Sequence, residues 1–271
     1  MARGLHYHVK PPAGMPLDWG HPLVRDMVGC WVMNEGGGNC TNYASPDRPL
    51  AKLLATGVTW APGATGGPGL KFTAGELREN ASKALFDITD YLTVSALINT
   101  SQTATFGFIV GKSNTASSNG GYLLTVGTGF VNNGPAFTVN GGASIQIAKE
   151  AATFLDKWIH VCGVFNKDLS GNARVALYVD GIDQGTYTTS GTFTTILGNN
   201  SDVTIGTDDT GNFNFEGGID HAMIWKRALS EFEARRLASN PWQIFQRPTH
   251  TQVSVAAEVL TRRRMVMGLG V

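Results

Sequence analysis

Short runs of alternating apolar and polar residues, separated by glycine-rich turns, make up most of this 271-residue chain. If the run GGIDHAMIW at 217–225 is a strand, one of its faces carries Ile219, His221, Met223 and Trp225. Asp220 lies on the other face with Ala222 and Ile224, so both faces hold apolar residues. The pattern therefore predicts an inner strand that is buried on both sides.

The same alternation predicts an all-β chain, since long runs with helical periodicity are absent. We expect strands near 28–34, 58–61, 69–73, 91–99, 106–111, 121–127, 135–139, 144–148, 157–166, 173–180, 182–188, 202–206 and 215–226. Ser230 with Glu233 three residues later is typical of a capping box, which predicts one short helix at 231–238, ended by Pro241.

Four ordered stretches carry a family resemblance: VGCWVMNEGGG at 28–38, LTVSALI at 92–98, the pair KWIHV and LYVDG at 157–161 and 177–181, and GGIDHAMIWKRALSEFE at 217–233. They resemble the first strand and turn, an early strand, the central strand pair and the closing segment of laminin-G-like domains. Leu97 stands where that family usually has tryptophan. The resemblance implies a concanavalin A-like jelly roll, a sandwich of two antiparallel sheets. That fold hosts lectins, glycosidases and viral structural proteins alike, so it does not by itself fix a function.

The chain divides into three parts, with the jelly roll expected over 23–240. Residues 1–22 hold four prolines and predict an extended N-terminal arm. Residues 241–271 form a C-terminal docking segment and arm, in which Trp242 and Phe245 can dock on the sandwich or contact a partner. A chain of this length can bury its core as one domain.

Charge and hydropathy exclude several partners. Twenty-one basic residues balance 21 acidic ones, so electrostatic binding of nucleic acid or of an anionic membrane is not indicated. The sequence has no apolar run long enough for a membrane span, and MARGLHYHVKPPAGMP lacks the apolar core of a signal peptide. We expect the chain to be made in a cytoplasm.

Three cysteines cannot all pair within one chain. Cys30 and Cys162 fall in predicted core strands, where a free thiol behaves as a small apolar group. Cys40 follows a glycine loop, and we expect it to be the more exposed. Buried free thiols are favoured over a Cys30–Cys40 disulfide.

Two oxygen-rich sites are candidates for calcium. The resemblance implies a structural calcium between the turn after the first strand and the closing strand, and the matching carboxylates are Glu35 and Asp220. Asp208 and Asp209 open a second polar loop without EF-hand spacing. The alternative for Glu35 and Asp220 is hydrogen bonding to loop amides, and the alternative for the Asp208 loop is a simple solvated turn.

Enzymatic activity is not predicted. Retaining glycosidases of this fold carry paired carboxylates two residues apart, about 5 Å from each other. This chain offers only Glu216 and Asp220, four apart and near 13 Å in a regular strand. His160 and His221 fall in predicted core strands, and a nucleophile turn such as G-x-S-x-G is absent. We expect a non-enzymatic module with no catalytic residues.

Glycan binding is a weaker candidate. A sugar needs an aromatic platform beside amide and carboxylate groups. Polar loops are plentiful, while exposed aromatic residues are few. The candidate glycan residues are Asn132, Asn133, Tyr187, Asn199 and Asn200.

Residues 251–260 alternate like a strand, and this strand would have no partner inside the sandwich. Candidate partner-binding residues here are Val253, Val255, Arg262, Arg263 and Arg264, and the alternative is a disordered basic end.

HPLVRDMVGCW at 21–31 and PWQIF at 241–245 resemble segments of tailed-bacteriophage and prophage proteins. The resemblance implies a virion surface protein, a capsid decoration or fibre component, whose partners are virion proteins, further copies of the chain, or bacterial surface glycans. The rivals are a free carbohydrate-binding lectin and, more remotely, a glycoside hydrolase.

Overall fold

A computed structural model describes most of the chain and, within the described residues, shows a two-sheet β sandwich with one α-helix. The described residues are 9–45, 52–54, 57–64, 66–79, 83–102, 106–113, 120–127, 134–142, 145–149, 155–190 and 193–246. Within them no helix is long and apolar enough to cross a membrane.

In the described part of the chain, eight strands form the first sheet, in the order β13-β12-β11-β6-β16-β4-β3, with β1 also paired to β16. Its strands are β1 (Met27–Trp31), β3 (Val58–Pro62), β4 (Pro68–Phe72), β6 (Tyr91–Thr100), β11 (Trp158–Asn166), β12 (Val175–Val179), β13 (Ile182–Asp183) and β16 (Gly217–Trp225). Every pairing in this sheet is antiparallel.

Eight further strands among the described residues form the second sheet, in the order β14-β10-β9-β8-β7-β15-β5-β2. Its strands are β2 (Lys52–Leu54), β5 (Glu76–Glu79), β7 (Gly107–Lys112), β8 (Gly121–Val126), β9 (Ala136–Asn140), β10 (Ile145–Lys149), β14 (Thr186–Ser190) and β15 (Val203–Ile205). These pairings are antiparallel too, which confirms the predicted concanavalin A-like architecture.

Three details of the strand prediction are wrong. The short strands β2 and β5 are missed, because three or four residues are too few to show alternation. The strand expected at 182–188 is two strands in different sheets, β13 and β14. Gly185 separates them with φ of 61°, and its amide donates to the Asp183 carboxylate in a tight turn.

The closing strand β16 lies inside the first sheet, as predicted, but its faces are not the expected ones. The pairing with β6 shifts register between Ile219 and His221, so Asp220 sits in a β-bulge. Ile219 therefore joins Ala222 and Ile224 in the core between the sheets, instead of sharing a face with His221.

A second core covers the outer face of the first sheet. Helix α1 (Glu231–Ser239) contributes Leu237 and begins with the predicted capping box of Ser230 and Glu233. Trp242 and Phe245 follow the helix in a 3-10 turn and are buried here, so they dock on the sandwich of their own chain.

The segment before β1 packs on this same surface. Leu17 pairs with Phe245 in an isolated β-bridge, and the indole nitrogen of Trp225 donates to the Leu23 carbonyl at 2.7 Å. The segment predicted as an arm therefore contributes Leu17 to the second core of its own chain. Residues 1–8, and the predicted partner residues Val253, Val255 and Arg262 to Arg264, lie outside the described part.

All three cysteines are free and buried, which confirms the predicted thiols. Cys40 is fully buried, so the expectation that it is the more exposed is wrong. Burial raises the pKa of all three thiols, that of Cys162 to about 12, which makes them poor nucleophiles.

Candidate functional site

The Asp220 bulge brings the predicted carboxylate against a lysine that the sequence prediction missed. The Nζ atom of Lys10 lies 2.9 Å from Asp220 Oδ1, and both side chains are almost completely buried. The same ammonium donates to the carbonyl oxygens of Pro68 at 2.6 Å and Asp220 at 2.8 Å, with that of Met33 at 3.5 Å. Four oxygens from three separate segments thus surround one ammonium group.

Glu35, the second carboxylate of the predicted calcium site, lies close enough for its charge to act on Lys10. Its Oε1 accepts a hydrogen bond from the Thr41 amide at 2.8 Å. Its Oε2 and Asp220 Oδ2 are buried without a hydrogen-bond partner among the described residues. Burial lowers the pKa of Lys10, and the Asp220 charge opposes that shift.

These residues do not suit a calcium ion as they stand. Calcium needs six to eight oxygens at 2.3–2.6 Å, and an ammonium group already lies among the four that converge here. Among the described residues, no three His, Cys, Asp or Glu side chains group so that they could hold a metal.

The second candidate calcium site is also held by protein contacts. The Asp208 carboxylate accepts from the amides of Thr210 and Asn212, as a turn-forming aspartate does. Asp209 pairs with the guanidinium of Arg78, which also binds Glu76 and Asp202. The predicted turn describes the contacts of Asp208, but this residue is completely buried and not solvated, and the ion pair of Asp209 with Arg78 was not predicted.

His160 and His221 are buried in the second core, as predicted. His160 Nε2 lies 2.8 Å from Ser95 Oγ, and the His221 ring packs edge-on against Trp242. Burial lowers the pKa of both, that of His160 to about 3, so both rings are neutral at pH 7. Ser95 and His160 are almost completely buried, so no substrate can reach this Ser–His pair.

The candidate glycan residues do not form one described site. Asn199 Oδ1 accepts from the buried Lys112 ammonium at 3.0 Å, and its amide donates to the Gly120 carbonyl. Asn200 is exposed beside it. Asn132 and Asn133 lie outside the described residues, as does the side chain of Tyr187 on β14.

A groove that sequence reasoning missed lies on the outer face of the first sheet, between β11, β12 and the start of α1. Its volume is about 550 Å³. Val164, Ala176 and Leu229 make its floor apolar, and Leu169 is 46% exposed at its rim. Asn166 and Tyr178 add polar groups.

Charged side chains line this groove in equal numbers of each sign: Arg25, Arg174, Arg227, Asp183, Glu231 and Glu233. Arg227 is held by the Arg25 and Pro22 carbonyls and by Glu233 at 2.8 Å. Burial raises the pKa of Glu233, but the contacts with Arg227 and Ser230 together outweigh burial and hold that pKa below its usual range. The groove thus offers fixed hydrogen-bonding groups beside an apolar floor. In the sequence, the only signal of this groove is the set of outward-facing positions on β11 and β12.

Two antiparallel sheets with this strand order and a helix packed on one outer face define a jelly-roll domain of the concanavalin A-like class. A family profile described as the concanavalin A-like lectin/glucanases superfamily matches residues 75–235. The chain belongs to this superfamily. No curated protein sequence matches it significantly.

Several solved structures share the fold at low sequence identity. Domain 4 of an extracellular arabinanase from Geobacillus stearothermophilus, in complex with arabinotriose, is 13% identical with a TM-score of 0.59; the match covers 79% of this chain and 98% of that one. The binding domain of Paraclostridial Mosquitocidal Protein 1 is 16% identical with a TM-score of 0.57, over 80% and 52%. The Trypanosoma rangeli sialidase in complex with sialic acid is 16% identical with a TM-score of 0.55, over 79% and 32%. The chain thus spans about half of the second protein and a third of the third. At such identities the likeness shows the fold alone.

Proposed function

We propose that this protein is a non-catalytic, glycan-binding jelly-roll module. The observation that carries the proposal is the groove beside α1, which combines an apolar floor with hydrogen-bonding groups held in place by other contacts. A pyranose or furanose ring presents an apolar face and a rim of hydroxyls, and such a surface complements both.

The structural neighbours support this proposal by analogy. The arabinanase domain was solved with arabinotriose and the sialidase with sialic acid. Because Arg25, Arg174 and Arg227 are balanced by three carboxylates, the groove has no net charge that would favour an anionic sugar. We therefore expect neutral oligosaccharides to bind better than sialylated ones.

Titration with neutral bacterial surface oligosaccharides by calorimetry tests the proposal. Leu169→Ala and Arg25→Ala change exposed groove side chains, and each should weaken binding at least fivefold without lowering the melting temperature. Ile182→Ala and Lys71→Ala are matched controls, since both residues are exposed and outside the groove. Unchanged binding in both groove variants, with loss in Asn200→Ala, would move the site to the polar loops.

We also propose that the module is displayed on a virion surface. The support is the resemblance of HPLVRDMVGCW and PWQIF to segments of tailed-phage proteins. These two segments meet in the second core, where Leu23, Trp242 and Phe245 are buried together. Virion proteins or further copies of the chain would then bind residues 247–271.

Removing residues 247–271 tests this second proposal, because every contact described above lies within 9–246. The shortened protein should keep its melting temperature and its glycan affinity but fail to assemble onto particles. Assembly at full occupancy would exclude the role of this segment. Particle attachment and glycan binding can therefore fail separately.

A further inference from the structure

The oxygen cage around Lys10 holds more acceptors than an ammonium group needs. A lysine has three protons to donate, and four oxygens converge on Nζ. Three of the four are backbone carbonyls, which are also common ligands of calcium. The cage is built from the segment after β1, the start of β4 and the bulge of β16, where the resemblance implies a calcium ion.

Two further carboxylate oxygens belong to the two residues of the predicted calcium site. Glu35 Oε2 and Asp220 Oδ2 are buried without a hydrogen-bond partner among the described residues, and Asp220 Oδ2 lies 4.0 Å from His221 Nδ1. With the four oxygens around Nζ they make six, the lower limit of a calcium shell. The carboxylates of Glu35 and Asp220 carry two negative charges, and Lys10 brings one positive charge.

We propose that the Lys10 ammonium is the resident cation of this site, that it takes the place of the calcium ion implied by the family resemblance, and that removing the Lys10 side chain leaves a site that binds Ca²⁺. A cation tethered to the chain cannot be removed by chelators or diluted away. It links residue 10 to the closing strand, 210 residues further along the chain.

The packing of neighbouring residues agrees with a site shaped around a lysine. The Lys10 stem passes Gly67, where an added Cβ would lie 3.4 Å from Lys10 Cδ. The ammonium lies 5.6 Å from the centre of the Trp242 ring, which favours an organic cation over a hydrated metal ion. A metal ion would gain nothing from the alkyl contact with Gly67.

Calcium binding by equilibrium dialysis, together with thermal unfolding in calcium and in chelator, tests the proposal on the full chain. Wild type should bind no calcium at this site and melt at the same temperature in both buffers. Lys10→Ala should bind one calcium ion per chain and melt about 5 °C higher in saturating calcium than in chelator. Lys112→Ala is the control: this lysine is also buried, among oxygens of Asn199 and Ser201, but it faces only one carboxylate, the 38% exposed Asp87 at 3.0 Å. Since one exposed carboxylate is a weaker calcium ligand set than the two carboxylates at Lys10, this variant should show no calcium response.

Three outcomes would overturn the proposal: a wild-type chain that binds calcium and loses it in Asp220→Asn, a folded Lys10→Ala that binds none, or an equal calcium response in Lys112→Ala. If Lys10→Ala folds only in calcium, the proposal is supported. If it folds in neither buffer, Lys10→Ser replaces it, and wild type still gives an independent answer by NMR. A buried Lys10 should give a protected NH₃⁺ signal that calcium does not alter, and its loss on adding calcium would contradict the assignment.

Discussion

Ser95 Oγ and His160 Nε2 lie 2.8 Å apart inside the second core, and this contact ties the two central strands of the first sheet together on their outer face. His160 Nδ1 and both ring nitrogens of His221 have no hydrogen-bond partner among the described residues. The core therefore contains two neutral imidazoles, and protonating either one would lower the free energy of unfolding.

Acid should destabilise the fold before most carboxylates titrate. Burial lowers the folded-state pKa of His160 to about 3 and also lowers that of His221, while both have a pKa near 6.5 in the unfolded chain. The unfolded state binds protons first as the pH falls, so stability declines from about pH 6.5 towards pH 3. At pH 5 the loss is about 2 kcal/mol for His160.

Urea unfolding between pH 7 and pH 5 measures this decline. His160→Gln should reduce the slope of the unfolding free energy against pH, even if it lowers stability at pH 7. If His160→Gln and His221→Gln both keep the wild-type slope, other groups cause the loss of stability in acid.

Gly63 should not tolerate a side chain. A Cβ at this position would lie 1.9 Å from Asp220 Oδ1, which also accepts from the Ala64 amide at 3.0 Å. Gly63→Ala should therefore displace Asp220 from Lys10 and cost about 2–4 kcal/mol. Gly37→Ala is the control, because an added Cβ there meets nothing within 4 Å. Equal denaturation midpoints for both variants would contradict this steric argument.

Replacing Asp220 should be far more damaging than replacing both charged partners. Asp220→Ala leaves the Lys10 ammonium buried without its carboxylate, at a cost of about 3–5 kcal/mol. Combining it with Lys10→Met should recover part of that loss. Chemical denaturation of the two single variants and the double variant gives the interaction energy. Additive effects would mean that the pair does not interact.

The chain should tolerate removal of residues 1–8 but not of residues 1–22. The longer deletion removes Lys10 from its oxygen cage and Leu17 from the second core, where it pairs with Phe245. Loss of one buried leucine costs about 2–5 kcal/mol, and loss of the Lys10 contacts adds to it. Thermal unfolding of chains starting at residues 9 and 23 tests this prediction, and similar melting temperatures would refute it.

No glycoside hydrolysis is expected. Glu216 is exposed, whereas Asp220 is completely buried and paired with Lys10, so the two cannot share a scissile bond. Purified protein incubated with bacterial surface polysaccharides should release no reducing ends. Turnover that Glu216→Gln abolishes would restore the glycosidase alternative.

Local sequence patterns determined most of the secondary structure. Alternation located the long strands, and Ser230 with Glu233 located the start of the helix, because both signals depend on neighbours within a few residues. The motifs at 28–38 and 217–233 indicated the fold because they resemble the first and closing strands of laminin-G-like domains.

Only the tertiary structure decided the faces and partners of the closing strand. A bulge at Asp220 changes which side chains face the core, and a single unpaired residue leaves no mark in an alternating pattern. The choice of Lys10 as partner for Asp220 depends on two segments 210 residues apart, as the groove depends on β11, β12 and α1. Such contacts follow from how the sheets and the chain ends pack, and periodicity along the chain carries no information about that packing.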